Sequence, residues 1–266
     1  MSYWAKRQQK IQEAISDKSI KDINKQLQKY YGSAAKKVIA DFEATYNKLL
    51  ATVEAGKEPT PADLYKLDKY WQMQAQMRQE LQKLGDKQIV ELTRAFERDW
   101  FEIYYSINLP DATEMFNTVD KAAVQQMLNQ VWCADGKTWS QRIWDNISLL
   151  NETLNEELLH IVASGKKTTE LKDKLQERFG VSYSRANTLV RTEVAHIQTQ
   201  AAAERYKSYG LEQYEILGND DDTCGQKGID CHEMDGKKFY YSEMSVGKNA
   251  PPFHPNCKCC IIPVVD

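Results

Sequence analysis

Five of the six cysteines and two of the four histidines of this 266-residue chain lie in its last fifty residues. They are Cys224, Cys231, Cys257, Cys259 and Cys260, with His232 and His254. Thiolate and imidazole are the ligands of structural zinc, which takes four of them in a tetrahedron. Cys224 and Cys231 supply one arm of such a site, and the H-x-x-C pair His254 and Cys257 supplies the other. The result is a Cys3His set, with Cys259 and His232 as alternative ligands. Cys257 and Cys259 stand two apart in a segment that reads as a strand, so both face one way and Cys260 faces the other, toward a core. Bound metal, packed free thiols and a disulfide are the three readings, in that order. No general base stands beside the cluster, so a closed structural site is expected rather than a catalytic one with an open position.

Other chemistry is thin. Arg191 and Glu193 flank Thr192 on a helix and, two apart, do not face each other. Each is expected to find its own partner, Arg191 among the acids of residues 219–222 or at a C-terminal carbonyl. Asp220, Asp221 and Asp222 read first as turn residues, and His196 as a packing residue. The chain has no Gly-x-Gly-x-x-Gly, no P-loop and no Gly-x-Ser-x-Gly elbow.

The elements that must position the cluster are mostly helical. From Tyr3 to Val53, Ile11, Ile15, Ile23, Leu27, Val38, Phe42 and Leu49 recur at helical spacing. Gly56 to Pro61 breaks that pattern; Thr60 caps a new helix with Pro61 in its first position, ended by Gly85. Asp86 caps the next, to about Tyr105, and Asp120 a shorter one. Ser140 starts a helix that runs out at Ser164 and Gly165. Thr168 or Thr169 starts another, ended by Gly180, and Ser182 or Ser184 opens a long one ended by Gly210. After Gly210 three short strands follow, at 211–217, 236–241 and 258–265. Three short strands bury little alone and need the preceding helix, a metal, or both.

The composition is that of an ordinary soluble protein, with 42% hydrophobic and 27% charged residues. A net charge of −3 excludes a polycation that binds nucleic acid with its whole surface. Charge is uneven, however: residues 1–48 hold ten Lys/Arg against five acids. Lys6, Arg7, Lys10, Lys36 and Lys37 are the candidate nucleic-acid contacts, against the plainer reading of a solvated helix face. The first residues lack the apolar core of a signal peptide, and no run approaches the ~20 residues of a membrane span. Synthesis in a reducing cytoplasm is therefore expected, which favours metal over disulfide.

Taken together, the C-terminal motifs resemble the phage Mu F-like head morphogenesis family. They are Arg191-Thr192-Glu193; Asp221 to Cys224; Cys231 with Asp235-Gly236 and Phe239; and Pro251-Pro252-Phe253-His254-Pro255-Asn256-Cys257-Lys258-Cys259. The resemblance covers about 140–266, and the helical part is similar to minor head proteins of tailed phages. It implies a helical N-terminal region, 1–139, that docks to a partner, and a head morphogenesis domain, 140–266, with its Cys/His module at 211–266. The implied fold is mainly α, with a long helix packed on a short three-stranded unit. The implied role is a structural, non-enzymatic minor capsid protein inside the virion, made in the host cytoplasm. Its implied partners are the portal protein and the capsid or scaffold, with double-stranded DNA bound without sequence preference, in packaging or ejection. Trp139, Trp144 and the Arg191/Glu193 helix are expected to hold the module to the helices. Two departures stand out: the family's close C-x-x-C pair is replaced by Cys224 and Cys231 with six residues between them, and Lys258 replaces an arginine. Two other functions compete. One is an enzyme, either a metal-dependent hydrolase or an ADP-ribosyltransferase-like domain using Arg191 and Tyr241-Ser242-Glu243. The other is a zinc-clipped module binding DNA non-specifically.

Overall fold

The computed structural model describes residues 3–53, 56–109, 119–218 and 231–265, with the side chains of residues 3–6 left aside. Seven helices and three strands follow in chain order: α1 (Tyr3–Thr52), α2 (Pro61–Tyr65), α3 (Asp68–Ser106), α4 (Lys121–Leu128), α5 (Trp139–Ala163), α6 (Thr168–Ser208), β1 (Gln213–Leu217), α7 (Cys231–Met234), β2 (Lys238–Tyr240) and β3 (Cys260–Pro263). The chain is thus mainly helical with a small α+β module at its C-terminal end.

Helix ends follow local chemistry in most places. Thr60 and Asp63 form a reciprocal capping box with Pro61 at the first helical position. Asp120 caps α4 by accepting from the Ala122 N–H. Gly165 and Gly210 have φ of 62° and 77°, and each closes its helix with a paired turn. Lys166 donates to Ile161 and Gly165 to Val162; Leu211 donates to Tyr206 and Gly210 to Lys207. Left-handed residues that satisfy the last carbonyls in this way suit glycine.

Three expected breaks differ. The helix opened at Pro61 stops after one turn, and α3 then runs unbroken through Gly85 and Asp86 to Ser106. Gly85 ends nothing: a Cβ there would lie 2.3 Å from Cζ3 of Trp144, so the residue is small to admit an indole. Likewise α6 continues through Gly180, Ser182 and Ser184. A lone helical glycine costs about 1 kcal/mol relative to alanine, and the buried Leu175, Phe179 and Ala186 around it keep the helix whole.

Packing divides the chain into two interleaved units. The first comprises Met1–Asn24, Glu91–Trp139 and Asn187–Asp266; the second comprises Lys25–Val90 and Ser140–Ala186. In the second unit Leu27, Val38, Phe42, Leu49, Met77, Leu81, Leu154, Leu158 and Leu175 are buried. Trp144 packs there, on Gly85. In the first unit Trp139 stacks edge-on against Phe96, with ring centroids 5.3 Å apart. Its sheet has the order β2-β1-β3, all antiparallel, with Tyr214 opposite Phe239, Ile216 opposite Ile261 and Leu217 opposite Cys260.

Candidate metal centre

The cluster is assembled from α7 and the loop that leads into β3. Cys231 opens α7, while His254, Cys257 and Cys259 lie in the loop. Their placement begins with a turn. The Cys257 N–H donates to the His254 carbonyl at 3.1 Å, with Pro255 and Asn256 between them. Asn256 has φ of 62°. Proline first and asparagine second are what a turn with a left-handed third residue demands. The Asn256 N–H donates to Oγ1 of Thr192 at 3.2 Å, which ties the turn to α6.

The sulfurs of Cys231, Cys257 and Cys259 all lie within 4.8 Å of one another, and all three residues are buried. Cys231 Sγ is 3.9 Å from Cys257 Sγ and 3.1 Å from Nε2 of His254. Nδ1 of His254 lies 2.9 Å from the Pro255 carbonyl oxygen. That oxygen can only accept, so in the neutral ring Nδ1 carries the proton and Nε2 presents its lone pair toward the sulfur. This is the tautomer a metal-ligating histidine uses.

The spacing fits a metal better than a bond between sulfurs. A tetrahedron with ~2.3 Å zinc–sulfur bonds has edges of about 3.8 Å, close to the 3.9 Å found. A disulfide needs about 2.05 Å, and the five described cysteines are free. Hydrogen bonding from the Cys259 side chain outweighs desolvation and brings the Cys257 thiol down to about 6, so its thiolate form is accessible near neutral pH. Three residues on, burial pushes Cys260 up to about 12. Cys260 instead joins Leu217 and Ile262 in the core.

Cys259, named from the sequence as an alternative ligand, is a member of the cluster, but it precedes β3 rather than lying in a strand. His232 is exposed on the outer face of α7, because its neighbour Cys231 takes the inward position. Cys224 and the acidic run at 220–222 lie outside the described residues. Arg191 donates to Oδ1 of Asn187 at 3.3 Å.

The remaining motif residues are supports. Thr192 holds the His254–Cys257 turn. Glu193 is buried and accepts from the Trp132 indole N–H at 3.0 Å; Trp132 in turn stacks on His196 at 4.4 Å between centroids. Asp235 accepts from the Gly218 N–H at 2.7 Å. Gly236, at φ of 74°, donates to Ile216 and turns the chain into β2, where Phe239 meets Tyr214. Pro252 follows Pro251 through a cis bond into the cluster loop. The sequence signal for the turn was Pro-Asn between His and Cys. Trp132 has no such signal, since its partner is 61 residues away.

Of the basic candidates, Arg7, Lys10 and Lys36 are exposed. Lys37 is ion-paired with Glu80, and the Lys6 side chain lies outside the described residues.

Residues 152–262 match the family described as Phage Mu protein F like protein. No curated protein and no solved structure matches the chain.

Proposed function

We propose, from the match of residues 152–262 to the phage Mu F-like family, that the whole chain is a head morphogenesis protein of a tailed phage or prophage. Its role is structural rather than enzymatic. It is a minor capsid protein of the virion interior, assembled in the host cytoplasm, with its helical region docked to portal, capsid or scaffold. Its C-terminal module is clipped by zinc on Cys231, His254, Cys257 and Cys259. One observation carries this reading. Cys231, Cys257 and Cys259, from two separate segments, form a buried cluster with His254 Nε2 3.1 Å from Cys231 Sγ, and Thr192 holds the turn between His254 and Cys257, an arrangement that suits a closed structural site. If bound there, zinc would supply a rigid crosslink between α7 and the loop before β3, and folding free energy with it.

A specific observation also supports contact with DNA. Along α1 the exposed residues Arg7, Lys10, Lys18, Lys21, Lys25, Lys29 and Lys36 recur mostly three and four apart. At 100° per residue they share one face, opposite the buried stripe. Such a row suits phosphates without reading bases. Affinity would then fall steeply with salt, and a flat salt dependence would remove this part of the proposal.

The test of the main reading is co-purification. The tagged chain, co-expressed with the portal and major capsid proteins of its own phage, is expected in the portal-containing particles. Absence from both portal and heads would overturn the reading, and turnover of a bound nicotinamide cofactor would replace it with an enzyme.

A further inference from the structure

The buried face of α1 changes character along its length. Within the first unit it carries Gln8, Gln12, Ser16 and Ser19, all at most 8% exposed. From Ile23 onward the buried positions include Leu27, Tyr31, Ala34, Val38, Phe42, Tyr46 and Leu49, with Thr45 a buried polar residue among them. Spacings of three and four continue unbroken across the change, so it is one stripe with two chemistries.

The polar stretch is docked by side-chain hydrogen bonds. Gln12 Nε2 donates to the Tyr206 hydroxyl at 3.3 Å and Gln12 Oε1 accepts from Gln198 Nε2 at 3.0 Å. Ser16 donates to Gln198 Oε1 at 2.7 Å. Ser19 donates to Asp99 and accepts from Arg98. Asn24 donates to Asn187 at 2.8 Å. Each of these groups regains its partner from water when the helix leaves, whereas Leu27 or Phe42 would not. Freed of its packing, a helical segment of about twenty residues is only marginally stable in water, so its amides open once it leaves. Packing beneath it is also incomplete. A pocket of about 320 Å³ is lined by Glu13, Ser16 and Asp17 together with Arg191, Gln198 and the loop at Asn256–Lys258.

We propose that the segment ending at Asn24 is a releasable strap. It leaves α6 and the Cys257 loop as one unit and then opens its backbone hydrogen bonds, while α1 beyond Asn24 stays packed. Release uncovers the α6 face that carries Val194, Gln198 and Tyr206, together with the open side of the Cys257 loop. The inference stands independently of the head-protein reading.

Hydrogen exchange of the full-length protein, followed by mass spectrometry, tests it. Undocking as a unit predicts a plateau: amides of residues 8–22 exchange at one common rate, at least tenfold faster than those of 27–49, with a step near Ile23. Ordinary fraying predicts instead a smooth ramp that steepens toward Tyr3. A ramp, or equal protection on both sides of Ile23, overturns the proposal. The double substitution Gln12→Leu with Gln198→Leu turns the docking apolar and should abolish the step. A step that survives intact in the folded double variant also overturns it.

Discussion

The helices of the second unit and the C-terminal module are held by different means. In the helices, long apolar stripes bury Leu, Phe and Met side chains, and the loss of any one is a local wound. In the module, a three-residue and a four-residue strand flank β1, and four cysteines and a histidine stand among its buried side chains. The same contrast recurs between neighbours: Cys257 is set up to ionise and Cys260 to stay neutral. Residue type alone therefore does not assign a cysteine its task; burial among apolar carbon or among other ligands does.

The largest expected effect is at the cluster. Cys231→Ser or Cys257→Ser should each abolish metal binding and open residues 231–265 to protease, since structural zinc sites supply ~10 kcal/mol or more of folding free energy. The second unit should keep its melting transition. Leu154→Ala is the converse. Leu154 is fully buried in the second unit, so the substitution should cost about 2–5 kcal/mol in chemical denaturation and leave metal content unchanged. A loss of metal in Leu154→Ala would erase the distinction between the two regions.

A smaller effect sharpens the comparison at its join. Thr192→Val removes the acceptor for the Asn256 N–H and should cost roughly 1 kcal/mol, seen as weaker retention of zinc against a chelator. Thr192→Ser should restore most of it.

The smallest effect is a pH dependence. Burial raises the Asp99 carboxyl above its ordinary value, against hydrogen bonds from Ser19 and Arg98. A raised folded-state pKa contributes stability that is present below the unfolded value of about 4 and is lost as pH rises through the folded value. Wild type minus Asp99→Asn should show that decline in denaturation midpoints across this range, and Asp99→Asn alone should lack it.

Much of the module could be read from residue types, because cysteine, histidine, proline and glycine each do something specific. The three strands followed from local chemistry. So did the helix ends at Gly165 and Gly210, where left-handed backbone needs glycine. What escaped depended on distant neighbours. Gly85 looks like a stop until Trp144 is placed against it. Trp132 looks like one aromatic among many until Glu193 reaches it. The two units escaped because α1, α3 and α6 each run through both, although in α1 the buried stripe turns from polar to apolar near Ile23.

The central claim is that a metal on Cys231, His254, Cys257 and Cys259 holds the module. Elemental mass spectrometry of the purified protein, before and after chelation, tests it most directly, with proteolysis of residues 231–265 followed in parallel. The account predicts one zinc per chain, lost together with protection of that segment and regained on adding zinc. A metal-free protein whose C-terminal segment is protected and insensitive to chelator would contradict it.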